Sequence, residues 1–501
     1  MSKTDEKKLE EEKKISRRNY LKYAGAGVVA VAVAGAGAYY ATRPGPTPTP
    51  TTTVTSTVAS TGTPTLVREP PPSQDPLIFD IWAFRPEIPE SIAEICNKQF
   101  DENVKVEVLS GNFFALIEGK FMANAPIDMC YTGASTAHRY YAAKWAIGLN
   151  DIEKNDIVPY DIKEILADLN KGKYQFVDGY TAQDGQLLGL PYFQSSRCAI
   201  LANDLVLAKA GLDGPENYPE TYDEMYANIE KLAKAGVKEP YWIHWWVYPS
   251  LGPAWEWISE IVNTEGEEAL FDSKTFEPNF DINTKAAEVL KTWKWLWDNN
   301  YVNHGIISMN SEGDYLAGFA SGRYAYSGQQ TYDLKTFNDP SFSKIAGHVS
   351  PVPPKKHGWG ILDACGYTLM RREWAPYKEQ RAKRMVEVFG YKDKNGEYAA
   401  SKKWLMDAPA ALQSGYEEAN LDPEVISSWK KWVAREEDIK VLDDLLKTTG
   451  CPPVWKTYWY FEWQTRVNEW LPLFLQGKKT LNETIEGLRE YALELKKTYT
   501  F

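Results

Sequence analysis

The run Leu77-Ile78-Phe79-Asp80-Ile81-Trp82 is short and almost wholly apolar, which predicts a buried strand. Pro89 then opens a helix that carries Ile92 and Ile95 and ends within Cys96–Phe100. Val104, Val106 and Val108 alternate with Lys105 and Glu107, the pattern of a strand. Ile127–Tyr131 is another short apolar run. The order strand, helix, strand, helix, strand predicts an α/β sheet with largely parallel strands. Farther on, Thr221-Tyr222-Asp223-Glu224 and Thr480-Leu481-Asn482-Glu483 read as capping boxes. The first precedes Tyr222, Met225, Ile229 and Leu232 on one helical face, and the second precedes Ile485, Leu488, Ala492 and Leu495. Val289, Leu290, Trp293, Leu296 and Trp297 share helical spacing and read as core.

The amino end has a different texture. Arg17-Arg18 followed by Tyr20-Leu21-Lys22 resembles a twin-arginine export signal. Residues 23–40 hold only Ala, Gly, Val and Tyr, near the minimum length for crossing a bilayer. Residues 44–76 are Pro/Thr-rich, with ten threonines from Thr47 to Thr65, and cannot bury enough apolar surface to fold. Residues 1–43 therefore read as a twin-arginine-like signal or membrane anchor and 44–76 as a Thr/Pro-rich linker. Basic residues inside and a stalk outside predict an extracellular protein at the cell surface. It would be tethered to the cytoplasmic membrane by its N-terminus, or released after cleavage at an Ala-x-Ala site between Ala34 and Ala38.

Charge sharpens this division. The chain has 501 residues and a net charge of −12; the first 22 residues carry +3, so the remainder carries −15. An acidic body excludes a nucleic-acid binder, which needs a basic face. Aromatics are the compositional outlier, with 19 Trp and 30 Tyr. The five cysteines include no C-x-x-C pair, which argues against a structural zinc or redox motif. Nor do the five histidines form H-E-x-x-H, and neither a G-x-S-x-G elbow nor a P-loop is present. Carboxylates are plentiful, but none carries a local context that marks it as a glycosidase acid or base. Asp393-Lys394-Asn395-Gly396 reads as a hairpin turn rather than a calcium loop. A binding protein without metal or cofactor is favoured over an enzyme.

Eight segments in order resemble the extracellular solute-binding proteins of ABC importers, specifically the sugar-binding, maltose-binding-protein-like family. They are Phe79–Arg85, Phe100 to Val108, Pro126-Ile127-Asp128, Asp184–Pro191, Asn203–Leu212, Thr221–Glu224, Phe319–Tyr332 and Gly477–Leu488. Ala202, Tyr326 and Gln329-Gln330 depart from the family pattern. The resemblance implies a two-lobed α/β periplasmic-binding-protein fold with hinge crossings near Cys198–Asn203, Cys365–Tyr367 and Asp407–Leu412. Lobe one would be 77–200 plus 367–409, and lobe two 203–365 plus 411–501. It also implies capture of a carbohydrate in the cleft, an oligosaccharide above all, and delivery to an ABC permease by a monomeric protein. Two alternatives stay open: the same fold with a non-sugar solute (peptide, polyamine or metal chelate), or a surface carbohydrate-active enzyme.

Sugars present polar edges and apolar C–H faces, so aromatic rings, amides, carboxylates and arginine suit them. Trp82, Phe84 and Arg85 follow the first strand at its carboxyl end, where open sheets bind ligands. Asn112, Thr132 and Ser135 are further polar candidates near strand ends. Tyr192 and Gln194 precede the first crossing, and Trp242 and Trp245 belong to an aromatic cluster spanning Tyr241–Trp257. Gln330 and Tyr332 occupy the stretch that resembles the family's ring-stacking turn. Trp359 sits between Gly358 and Gly360 before a crossing, and Trp459, Tyr460 and Trp463 resemble the family's late aromatic contact. Cys198 and Cys365 both lie at implied crossings, where they could pair.

Overall fold

The computed structural model describes residues 72–154, 160–245, 252–309, 311–370, 376–407 and 412–499. The segments read above as a signal or anchor, and nearly all of the Thr/Pro-rich segment, lie outside them, as does Trp246. Two mixed sheets organise the rest. The first is built on β1 (Leu77–Trp82), β2 (Val104–Leu109) and β3 (Met129–Gly133). With β4 (Leu190–Arg197) and β9 (Ile361–Leu369) its order is β2-β1-β3-β9-β4. The second comprises β5 (Ala199–Asn203), β6 (Tyr241–Trp242), β7 (Tyr326–Gln329) and β8 (Val349–Pro351), in the order β6-β7-β5-β8.

In β1–β3 the strand–helix–strand–helix–strand order is found as expected. β1 pairs in parallel with β2, Leu77 opposite Val104, and with β3, Phe79 opposite Met129. The intervening helices are α1 (Glu87–Phe100) and α2 (Phe113–Met122). α1 begins two residues ahead of Pro89, which sits inside its first turn where a missing N–H costs nothing. Both faces of β1 are covered, which is why its run is nearly continuous in apolar residues: Leu77, Phe79 and Ile81 are buried, and so are Ile78 and Asp80. Asp80 is paired with Lys120 at 2.5 Å. Burial nevertheless raises its carboxyl to about 6, because desolvation outweighs the lysine.

β3 runs directly into α3 (Ala134–Ala142). The helices about the second sheet are α4 (Tyr222–Lys234), α5 (Pro253–Glu265), α6 (Lys285–Asp298) and α7 (Glu312–Ala320). α8 (Tyr460–Leu475) and α9 (Leu481–Thr498) close the chain. The Thr480 capping box forms completely: Thr480 Oγ1 accepts from Glu483 N–H at 3.2 Å, and the Glu483 carboxylate accepts from Thr480 N–H at 2.7 Å. At α4 only half of it forms. Thr221 caps Glu224 N–H, but the Glu224 carboxylate accepts from Glu220 instead. The predicted core faces of α4, α6 and α9 are buried, with Trp297 alone half-exposed. Asp393–Gly396 is a tight turn, Gly396 N–H donating to Asp393 O at 3.0 Å.

The change of sheet fixes where a site can lie. β4 ends at Arg197 in the first sheet, β5 starts at Ala199 in the second, and Cys198 between them has φ 62°. A left-handed conformation is uncommon for a residue with a side chain, and it marks an abrupt break in the strand. Gly360, at φ 90°, packs against this corner; a Cβ there would meet the Arg197 carbonyl at 2.5 Å. β9 runs unbroken in the first sheet from Ile361 to Leu369. The return from the second sheet therefore falls within 352–360, ahead of the implied Cys365–Tyr367. At the third implied crossing residues 408–411 lie outside the described set; beyond it Gln413 bridges to Gln194. All five cysteines are buried free thiols, so Cys198 and Cys365 do not pair. Cys365 Sγ instead lies 3.0 Å from the Tyr131 hydroxyl.

Candidate functional site

Strand parity at the break decides which side chains meet. Alternate residues of a strand share a face. Phe193, Ser195 and Arg197 of β4 therefore point to one side, opposite Cys365, Asp363 and Ile361 of β9 in the register. Arg197 Nη2 and Nε both donate to Asp363 Oδ2, at 2.5 and 3.0 Å. The guanidinium carbon also sits 4.9 Å above the Trp255 ring of α5. Trp255 packs on Trp455, ring centroids 4.9 Å apart, and Trp455 on Tyr460 at the start of α8. The Asp363 charge holds the Arg197 guanidinium protonated, against the burial that opposes it.

Two further segments reach this cluster. After β1 the chain turns through Arg85, at φ 51°, into α1. Phe84 in that turn stacks on Trp82 at 5.8 Å and touches Phe193 at 6.0 Å. Across the cleft it meets Tyr332, which follows β7, at 6.3 Å. Glu312, the first residue of α7, feels Arg197, Arg85 and Asp363, and its carboxyl is raised chiefly by burial. Burial, with Glu312 next, also raises the Asp333 carboxyl well above the usual range. The cleft thus joins two arginines, three carboxyl groups and aromatic faces.

Several polar atoms there are buried without a hydrogen-bond partner among the described residues: Arg197 Nη1, Ser195 Oγ, Gln330 Oε1 and Trp255 Nε1. Buried polar groups are ordinarily satisfied, so such a concentration of donors and acceptors marks a place prepared for a polar guest. The sheets also touch through their outer helices. Phe114 of α2 packs on Phe461 of α8 at 5.5 Å, and Arg139 of α3 pairs with Glu462 at 2.7 Å.

Of the sequence-predicted residues, Trp82, Phe84, Arg85, Gln330 and Tyr332 are brought to this cleft or its rim. The others are held elsewhere. Thr132 is fully buried, its hydroxyl 2.7 Å from Thr368 Oγ1. Its neighbour Tyr131 is the one on the cleft-facing side, near Phe193 and Cys365. Gln194 lies on the opposite face from Ser195, its amide donating to Ser414 O at 2.7 Å. Tyr192 packs among Tyr131, Tyr367 and Trp404. Asn112 caps α2 through Ala115 N–H, and Ser135 is buried in the first turn of α3.

The predicted tryptophans beyond Trp82 are core residues for an identifiable reason: each large ring fills a fold-specific hole, and three of the indole N–H groups find a carbonyl there. Trp242 donates to Tyr315 O and Trp359 to Pro353 O. Trp463 donates to Leu488 O. Trp459 packs on Phe271 at 5.8 Å, and Trp245 on Trp293 at 5.1 Å. Trp245 Nε1 differs, buried with no partner among the described residues. A separate open groove of about 890 Å³ is lined by Tyr141, Lys144, Asn150, Asp184 and Lys456, none of them predicted from sequence.

Sequence reasoning missed Ser195, Arg197, Glu312, Asp333, Asp363, Trp255 and Trp455, while Tyr460 was singled out through the resemblance. Parity was the available signal on β4, since Phe193, Ser195 and Arg197 alternate up to the break. Trp255 lies in the aromatic cluster Tyr241–Trp257 and Trp455 opens a second, Trp455–Trp470, but clustering alone does not separate a cleft ring from a core ring.

A strand that leaves one sheet and enters another, above a cleft lined from both, defines a two-lobed solute-binding architecture. The family model for bacterial extracellular solute-binding proteins matches residues 85–387, and the chain belongs to that family. Solved structures agree in fold. Maltose-bound MalE3 of T. maritima is 14% identical, with 84% of this chain and 100% of that one covered at a TM-score of 0.62. A cyclic alpha-maltosyl-1,6-maltose binding protein from Arthrobacter globiformis is 15% identical, covering 84% and 99% at a TM-score of 0.62. A ribitol-bound ABC-transporter solute-binding protein from Agrobacterium radiobacter K84 is 16% identical, covering 84% and 98% at 0.61. No curated protein matches the sequence. Among the described residues no helix is long and apolar enough to cross a membrane.

Proposed function

We propose that the chain is the carbohydrate-capturing component of an ABC importer. The lobes would follow the two sheets, lobe one holding 77–197 plus 361–409 and lobe two 199–360 plus 411–501, with the ligand between them. The observation that carries this reading is the cluster around Arg197. Arg197 Nη1 and Trp255 Nε1 are donors, Gln330 Oε1 is an acceptor and Ser195 Oγ can act as either, all buried beside aromatic faces and without a partner among the described residues. A sugar supplies both needs at once. Its hydroxyls donate and accept around the ring edge, while its C–H face stacks on Trp255, Phe84 or Tyr332.

Arg197–Asp363 stands at the floor of the cleft, one residue from the strand break, so a ligand touching it also touches the hinge. Glu312, Gln330 and Tyr332 come from the other side. A guest bridging both sides favours the closed arrangement, whose outer contacts include Phe114–Phe461 and Arg139–Glu462. The closed form would be what a permease recognises. In this reading the carboxyl groups bind hydroxyls and no bond of the sugar is broken. An N-terminal twin-arginine signal or anchor and the Thr/Pro-rich stalk would hold a monomeric binder at the outer surface of the cytoplasmic membrane.

Isothermal titration with a panel of mono- and oligosaccharides tests this. One sugar class binding at one molecule per chain, with affinity lowered at least about tenfold by Trp255→Ala, is the expected result. Binding of peptides or polyamines alone would replace the carbohydrate. Release of shortened sugar would replace the binding protein with an enzyme.

A further inference from the structure

A second group of chemically capable side chains lies behind the strand break, and sugar capture does not use it. Cys198, at the left-handed corner between β4 and β5, meets His244 just after β6 and Glu256 in the first turn of α5. Their sulfur, imidazole nitrogen and carboxylate oxygen all lie within 4.8 Å of one another. All three residues are buried. We propose that Cys198, His244 and Glu256 form a binding site for a thiophilic divalent cation of the zinc class.

Three observations support it. First, the donors are a thiolate, an imidazole and a carboxylate, the ligand types that zinc takes in its protein sites. They come from three separate segments, and the sequence gives no spacing that would reveal them. Second, Glu256 is half satisfied. Its Oε1 accepts from the Tyr241 hydroxyl at 2.9 Å, while Oε2 is buried and makes no hydrogen bond of ordinary geometry among the described residues; the carboxylate's other polar neighbour is the Cys198 thiol, its partner in the site. A hydrogen bond to one oxygen that leaves the other for a metal is the usual support for a ligating carboxylate. The Tyr315 ring packs edge-on against the His244 ring, centroids 5.1 Å apart, and fixes its plane. The backbone makes room as well: a Cβ on Gly328 would strike Glu256 Oε1 at 2.4 Å. Third, the charges balance. A thiolate and a carboxylate bring two negative charges into a buried site with a neutral imidazole, and a divalent cation cancels them.

Binding releases the thiol proton, and the carboxyl proton where Glu256 is protonated, so affinity falls as pH falls. Three protein ligands leave a fourth position that water fills. Because Cys198 adjoins Arg197, the cation would brace the base of the cleft from the lobe-two side.

The test uses the full chain stripped with a chelator and titrated with Co²⁺ as a spectroscopic probe, then with Zn²⁺ in competition. The expected result is a thiolate-to-cobalt charge-transfer band that saturates at one cobalt per chain and is abolished by one equivalent of zinc. Cys198→Ser removes the band, Glu256→Gln weakens cobalt binding at least tenfold, and Cys96→Ser, remote from the cluster, leaves both unchanged. Circular dichroism and melting establish that each variant is folded. If a variant fails to fold, X-ray absorption on the zinc-loaded wild-type chain decides, one sulfur in the coordination sphere being required. Absence of a thiolate band, or an equal band in folded Cys198→Ser, overturns the proposal. Because the readout is metal and not sugar, failure here leaves the reading of the cleft intact.

Discussion

Removing the Arg197 side chain puts the largest calculable strain on the cleft. Arg197→Met keeps the aliphatic length but strips the guanidinium from Asp363, to which it makes two hydrogen bonds, and from the Trp255 face at 4.9 Å. The side chains of the pair are only 7% and 13% exposed, so the orphaned Asp363 carboxylate cannot regain full hydration. Breaking a buried pair on one side costs about 3–5 kcal/mol. Loss of the cation over Trp255 adds about 1–2 kcal/mol. Replacing both partners is different: in Arg197→Met with Asp363→Leu neither charge is left stranded, and such replacements are often neutral or better. Urea unfolding is therefore expected to show the single variant destabilised by about 4–7 kcal/mol and the double variant restored to within about 1–2 kcal/mol of the wild type. Sugar binding, by contrast, is lost in both. The dissociation between stability and binding is the informative part. A single variant destabilised by less than about 1 kcal/mol, as for an exposed pair, would refute the burial argument. A double variant that still binds sugar with unchanged affinity would refute the placement of the ligand on Arg197.

Other consequences are simpler to check. Glu387 is buried, one carboxylate oxygen has no partner among the described residues, and burial raises its carboxyl from 4.5 to about 8. The fold favours its neutral form, so that contribution is complete below pH 4.5 and is lost as pH rises through about 8. Denaturant melts between those two pH values should show stability falling by up to about 1.4 kcal/mol per pH unit, and Glu387→Gln should flatten that slope; an unchanged slope sinks the assignment. Phe84→Ala removes the ring that touches Tyr332 across the cleft, and calorimetry should find sugar affinity down about tenfold, with a folded protein. Trp242→Ala should instead cost about 3–5 kcal/mol in unfolding experiments and act on binding only through the fold. Thr480→Ala should cost about 1 kcal/mol through the α9 cap; no measurable loss would mean that tertiary packing alone sets that terminus.

Much of the architecture was legible because local pattern and tertiary role coincide. The alternating valines of β2, the apolar run of β1 and the Thr480 box each obey a rule that needs no distant partner. The cleft was legible only where a turn follows a strand, as at Phe84–Arg85, or where resemblance pointed, as at Gln330 and Tyr332. It was illegible where the answer depends on which face of a strand looks inward. Thr132 and Gln194 were each chosen one residue away from Tyr131 and Ser195, which look the other way. The tryptophans misled for a related reason. A ring able to stack on a sugar is equally able to fill a core, and Trp242, Trp359 and Trp463 have carbonyls for their indole N–H groups that only the folded chain supplies. The Arg197–Asp363 pair joins residues 166 apart in the chain, and no local signal announces such a meeting.

Capture without chemistry is tested most directly by thermal melting of the full chain against mono- and oligosaccharides, with amino acids and peptides as controls. A ligand at a hundred times its dissociation constant adds about 2.7 kcal/mol to stability, enough to move the transition by degrees. A pure binding protein for carbohydrate predicts a shift with one class of sugar, absent for the controls, and recovery of that sugar intact after incubation. A shift confined to peptides or amino acids, or a sugar recovered cleaved, would contradict it.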